Sequence, residues 1–292
     1  MSVHGIDVSQ WQGNIDFAKV KADGIKFVII RCNNWDSSRN CVVKDSFFEI
    51  NYKNAKAAGL DVGAYYFTWE TSAAGAKNDA ALCMDFIKGK KFEYPIYFDL
   101  EWQNAFNRGR TVCSDMVKAF CDTLEKSGWF AGLYISRSPL QTYITSEVAS
   151  KYALWIAEYG GKLNYDGNYG MWQNSSTWKV NGISGNVDHD YAYVDYPALI
   201  KAGGYNGFAK PEPTEVLDTA GFKRGDKELG VLAYKQLLIL AKKRGLIKQT
   251  VNNDSGFGGG TEIATNQLLS YFGYKQNGIA GANLVKRLGE AL

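Results

Sequence analysis

Short β-rich runs recur along residues 3 to 190, and helical stretches that end in glycine separate the earlier ones. The runs are VHGID (3 to 7), KFVIIR (26 to 31), VGAYYF (62 to 67), YPIYFDL (94 to 100), AGLYIS (131 to 136), ALWIAEY (153 to 159), YGMWQ (169 to 173) and a short piece around NVDHD (186 to 190). Between them FFEINYKNAKAAG stops at Gly59, NDAALCMDFIKG at Gly89 and SDMVKAFCDTLEKSG at Gly128, where a residue free to turn left-handed ends a helix. Alternation of strand and helix leaves few solutions, because parallel neighbours need a crossover that carries the chain back to the same end of the sheet. About eight such strands predict an α/β chain closed into an irregular (β/α) TIM-like barrel. After residue 150 the helical segments shorten or vanish, so the irregularity is expected on that side.

Downstream the pattern changes. KAGGYNGFAKPEPTEV carries glycine, proline and charge without apolar periodicity, and Pro197, Pro211 and Pro213 lie in or near it. It reads as a linker over residues 203–216, which divides a barrel at 1–202 from a small all-α domain at 217–292. VLAYKQLLILAKKRG, TEIATNQLLSYFGY and ANLVKRLGEAL give that domain three helices. Residues 217–292 hold 11 lysines and arginines against 6 acids, whereas residues 1–216 hold 22 against 24. The basic tail suits an anionic surface, and a solvated helix face gives the same count.

Several chemistries are excluded early. Five cysteines, at 32, 41, 83, 113 and 121, form no Cys-x-x-Cys pair and read as reduced thiols filling core positions. His4 and His189 are the only histidines, too few for a zinc signature or a Ser-His-Asp triad; neither metal nor cofactor is expected. The start, MSVHGIDVSQWQGN, lacks a signal-peptide pattern, and no apolar run approaches the roughly 18 residues of a membrane span. The expectation is synthesis in a host cytoplasm without an export signal, no membrane insertion and no nucleic-acid partner.

Carboxylates remain. In YPIYFDLEW, Tyr97, Asp99 and Glu101 share one strand face while Phe98, Leu100 and Trp102 share the other. Two acids ending an otherwise apolar strand are either a solvated edge or a working site. Asp7 ends the first run and Asp188 sits in the last, so a parallel barrel would gather four acids at the carboxyl ends of its strands. Such a pair suits glycosidic cleavage, with one acid protonating the leaving oxygen and another carboxylate stabilising the sugar cation; the strand spacing leaves retention and inversion both open. Glu101, beside Trp102, is the expected general acid. Tyr65, Phe67, Trp69, Tyr134, Trp155, Tyr159 and Trp172 accompany the strands. Each ring is either core or a flat platform for a sugar, and Tyr65 and Trp172 are favoured as ligand contacts.

These residues together resemble a known family. GIDVSQWQGNIDF, FVIIRC, VGAYYF, IYFDLE, GLYIS, LWIAEYG, MWQNSS and NVDHD, in this order over about residues 3 to 197, are similar to glycoside hydrolase family 25, the Chalaropsis-type lysozymes. The resemblance implies cleavage, with retention, of the β-1,4 bond between N-acetylmuramic acid and N-acetylglucosamine in bacterial peptidoglycan. It makes Asp7, Asp99, Glu101 and Asp188 the catalytic acids, with Glu101 the proton donor. Asp99 is then either a direct nucleophile or the partner of the substrate's own 2-acetamido group. Tyr65, Tyr134 and Trp172 fall on groove aromatics, and Phe67, Trp155 and Asp190 complete the substrate-binding candidates. Asp190 stands where the family commonly has Asn, which leaves the roles of Asp188 and Asp190 to be divided. The tail, through FKRGDKELGVLAYKQLL, DSGFGGGTEIATNQLL and NGIAGANLVKRL, resembles helical peptidoglycan-binding domains and implies a wall-binding role, with anionic wall polymers as further partners. A phage endolysin released through a holin pore fits these features. The competing readings are an N-acetylglucosaminidase or chitinase-type barrel, and a non-catalytic cell-wall binder.

Overall fold

A computed structural model describes residues 2–210 and 215–292. The chain forms two compact units, Met1–Pro211 and Glu212–Leu292.

In the first unit the strands are β1 (Val3–Val8), β2 (Phe27–Arg31), β3 (Asn33–Asp36), β4 (Cys41–Lys44), β5 (Asp61–Phe67), β6 (Ile96–Asp99), β7 (Ala131–Ser136), β8 (Ala153–Ala157), β9 (Met171–Trp178) and β10 (Val187–Ala192). Eight of them close a barrel in the order β1-β10-β9-β8-β7-β6-β5-β2, and β3 and β4 form a separate hairpin. Every neighbouring pair around the barrel is parallel except those of β10, which runs antiparallel to both β9 and β1. That corrects the expectation of a wholly parallel set. Residues 179–186 between β9 and β10 carry no helix and are too few for a parallel crossover, so the chain folds straight back.

Strand alternation builds two apolar layers. Outward-facing Ile6, Val28, Tyr66, Phe98, Leu133 and Ile156 pack under the helices, with Phe98 stacked on Phe120 of helix Arg110–Lys126 at 4.6 Å. Inward-facing Phe27, Ile29, Tyr97, Trp155 and Met171 fill the barrel. Glycine makes room for the inner rings: a Cβ on Gly5 would lie 2.2 Å from the Phe27 ring, and one on Gly132 would lie 2.5 Å from Tyr97. The rings plug the interior and leave the polar chemistry at the mouth. Four cysteines are buried as expected, but Cys41 is exposed on the hairpin, outside any core.

The expected linker starts too early. Residues 203–208 fold onto the barrel, and Asn206 is fully buried at φ 53°, a left-handed conformation that asparagine tolerates. Its side chain accepts from Phe130 N at 2.7 Å and donates to Tyr94 O at 2.9 Å. Polar composition there reflects backbone groups that need partners. Residues 211–214, including Pro211 and Pro213, lie outside the described residues. Asn206→Ala should strand two buried backbone groups and cost about 2–4 kcal/mol of barrel stability, read as a lower urea midpoint.

In the second unit helices Leu229–Lys243, Gly259–Tyr271 and Ala282–Ala291 enclose a core of Val231, Tyr234, Leu238, Phe257, Leu268, Leu284 and Leu288. Asp218 caps the third helix by accepting from Leu284 N at 3.0 Å and from the Asn283 amide at 3.0 Å. The buried Lys235 ammonium donates to Asp254 at 2.6 Å and to the Gly256 carbonyl at 2.9 Å, so its charge is paired and hydrogen-bonded.

Candidate active site

The carboxyl ends of the parallel strands surround a cavity of about 150 Å³ lined by Asp7, Asp99, Glu101 and Asp188, together with Tyr65, Tyr134, Trp155, Tyr159 and Gln173. Asp99 is the last residue of β6 and points inward because Phe98 and Leu100 on either side are claimed by the outer layer. The end of β6 is pinned by its neighbours: Thr68 N donates to the Asp99 carbonyl at 3.2 Å and Leu100 N donates to the Tyr134 carbonyl at 3.1 Å. Glu101 continues on the same side past the strand, where it reaches solvent in the cleft. Asp7 on β1 and Asp188 on β10 are register partners. Because β10 runs the other way, Asp188 reaches the mouth from the beginning of its strand and not from its end.

A hydrogen-bonded frame holds these groups. The Tyr134 hydroxyl donates to Gln173 Oε1 at 2.8 Å, and Gln173 Nε2 donates to Asp7 Oδ2 at 2.7 Å. One layer down, the Trp155 indole N–H donates to Asp190 Oδ1 at 2.8 Å, and the Trp155 ring packs on Tyr134 at 4.4 Å and Tyr97 at 5.1 Å. Tyrosine, glutamine and tryptophan are thereby oriented before any ligand arrives.

Electrostatics favour protons in this cluster. Burial, then the charges of Asp188 and Asp190, hold the Asp7 carboxyl well above the usual range, against the pull of Gln173. Burial and the neighbouring Glu101 do the same to Asp99, and Arg31 opposes them. Burial brings Asp188 to about 6. Glu101 is raised by its withdrawal from bulk water and by Asp188, again against Arg31. Burial dominates at Asp190, where the Trp155 hydrogen bond lowers the pKa and Asp188 raises it. Carboxyls that share one cleft raise one another's pKa, so the cleft holds its protons to higher pH than isolated carboxyls would. One Asp99 oxygen, Oδ1, is buried without a hydrogen-bond partner, the condition of a group shaped for a ligand more than for stability.

Of the ten candidate residues, the cavity gathers Asp7, Asp99, Glu101, Asp188, Tyr65, Tyr134 and Trp155. Three stand elsewhere. Trp172 pairs with Ile156 on the outward face of the barrel and donates its indole N–H to the Glu158 carbonyl at 2.8 Å; its neighbour Gln173 is the inward residue. Phe67 is covered by Trp69 at 4.7 Å and Arg31 at 5.1 Å. Asp190 is fully buried beneath the cavity and supports Trp155. Sequence reasoning missed Gln173 and Arg31, and left Tyr159 among the undecided rings. A polar residue ending the apolar run YGMWQ was the available signal for Gln173, as it was for Asp99. Among the described residues no group of three or more His, Cys, Asp or Glu side chains is arranged so that it could hold a metal ion.

A closed barrel with a cleft of acids and aromatic rings at the carboxyl ends of its strands defines the class of barrel glycosidases. The chain belongs to the glycosyl hydrolases family 25, whose family model matches residues 6–183. The autolytic lysozyme of Clostridium acetobutylicum is 30% identical over 245 residues, which cover 83% of this chain and 66% of that enzyme. The modular autolysin LytC from Streptococcus pneumoniae, solved with a synthetic peptidoglycan ligand, superposes with a TM-score of 0.59 at 26% identity over 66% of this chain and 47% of its own. The CTP1L endolysin gives 0.58 at 26% identity over 68% of this chain and 70% of its own.

Proposed function

We propose that the barrel hydrolyses the β-1,4 bond between N-acetylmuramic acid and N-acetylglucosamine in bacterial peptidoglycan, with retention. The observation that carries this reading is the meeting of Asp99 and Glu101 with Asp7 and Asp188 in one cleft, in a chain related to lysozymes. Glu101, open to the cleft and with its pKa raised by burial and by Asp188 against the pull of Arg31, protonates the leaving oxygen. Asp99 at the buried end of the cleft stabilises the sugar cation, directly or through the 2-acetamido group. The chain from Tyr134 through Gln173 fixes Asp7, and the charge of Asp188 raises the pKa of Glu101. Digestion of purified walls should create new reducing ends of muramic acid, released first as the β anomer. Glucosamine ends would replace this reading with an N-acetylglucosaminidase.

The second unit, with its excess of lysine and arginine, binds the wall in this proposal, and anionic wall polymers supply part of the attraction. An endolysin-type context, with synthesis in the host cytoplasm and release through a membrane pore, accords with the likeness to CTP1L. The full chain should sediment with Gram-positive walls at low salt and less so after acid extraction of their anionic polymers. Equal binding before and after extraction would remove those polymers as partners.

A further inference from the structure

Arg31 ends β2 beside Tyr65 in the parallel register, at the rim of the cavity that Tyr65 lines. Its guanidinium lies over the Phe67 ring at 5.1 Å and the Trp69 ring at 5.5 Å. Trp69 in turn rests on Trp35 of the hairpin at 5.6 Å. The side chain is half-buried, its Nε is buried without a hydrogen-bond partner, and among the described residues no carboxylate oxygen lies within 4.0 Å of it. A planar cation stacked on aromatic faces loses little freedom when it binds, and its fork of N–H donors matches a carboxylate. Its charge acts on Asp99 and Glu101 from nearby without pairing with either. The acids of the cleft would repel an anionic substrate, so a cation kept free at the rim has a use that the bond-cleaving chemistry does not absorb.

Resting on the peptidoglycan reading above, we infer that Arg31, presented on Phe67 and Trp69, is a binding site for a carboxylate carried by the muramyl residue of the substrate. Two sources share this chemistry: the lactyl carboxylate of a peptide-free strand, and the first free carboxylate of an attached peptide. The site therefore reads the muramyl branch and not the sugar ring, which distinguishes a peptidoglycan strand from a neutral chitin-like one.

The test compares kcat/KM on soluble strands with intact peptides, on strands stripped to the lactyl group, and on both after their carboxylates are converted to amides. The native enzyme should favour the acid over the amide form by about tenfold, mainly through KM. Preference on stripped strands assigns the lactyl group, and preference on peptide-bearing strands alone assigns the peptide. Arg31→Met should bring the acid-to-amide ratio close to one, and Arg31→Lys, which keeps charge and stem, should hold an intermediate ratio. Any pH shift transmitted through Asp99 and Glu101 affects both forms and cancels in the ratio. Equal losses on acid and amide strands in Arg31→Met, with the native ratio retained, would overturn the assignment. If the native protein turned over none of the strands, the hydrolase reading would fail first and the carboxylate site with it.

Discussion

Replacement of Glu101 by glutamine should reduce the turbidity loss of purified walls by about 10²–10⁴-fold, the range expected when a positioned general acid is lost, while leaving the thermal midpoint at neutral pH no lower than that of the native protein. The stability half of this expectation follows from position. Glu101 lies past the end of β6, is exposed by residue area and lines the cleft, and glutamine keeps its shape. The activity half follows from the proton. An amide of the same shape cannot deliver one to a leaving oxygen, and among the other acids of the cleft Asp7 is held by Gln173 and Asp99 is buried. Turbidity loss by Glu101→Gln at the native rate would remove Glu101 from the mechanism and return the non-catalytic binder, or a different acid, to consideration.

Asp99→Asn should be as damaging to catalysis, on the order of 10²–10³-fold from loss of the anion facing the sugar cation, yet it should help the fold. Asp99 is buried and its folded pKa is raised by burial and by Glu101. The sign is fixed by linkage. A carboxyl raised above its unfolded value of about 3.9 favours the fold while protonated and withdraws that support as pH climbs through the folded value. The asparagine variant lacks this withdrawal. Its thermal midpoint should therefore gain on that of the native protein between pH 4 and pH 8, and a difference that is flat or shrinks with pH would show that Asp99 is not strained by ionisation. Reduced activity with a stability gain at neutral pH is the signature of a group retained for chemistry.

The barrel is legible in the sequence because β2, β5, β6, β7 and β8 are largely apolar on both faces, so these runs stand out against the helices around them. Asp7, Asp99 and Glu101 are legible for the complementary reason: they interrupt such runs at one end. Parity is harder. YGMWQ does not show which residue starts the strand, and a one-residue slip exchanges inside for outside; Trp172 is expected in the groove for its ring and from the family resemblance, and the register turns it outward and Gln173 inward. Arg31 looks like an ordinary polar strand end until Phe67 and Trp69 are seen beneath it. The hairpin Asn33–Asp36 with Cys41–Lys44 is polar and short, so periodicity cannot find it. Residues 203–208 mislead by composition, since Asn206 works through hydrogen bonds to distant backbone, which no local pattern encodes.

The antiparallel seam between β1 and β10 sets when the enzyme becomes competent. Asp7 and Asp188 face each other across it, one delivered near the start of the unit and the other near its finish, so the cleft lacks a wall until the final strand is inserted. Such distant pairing raises contact order, which slows folding. A nascent or clipped chain that lacks the returning strand carries Asp7 without Asp188 and should therefore be inert in the proposed reaction.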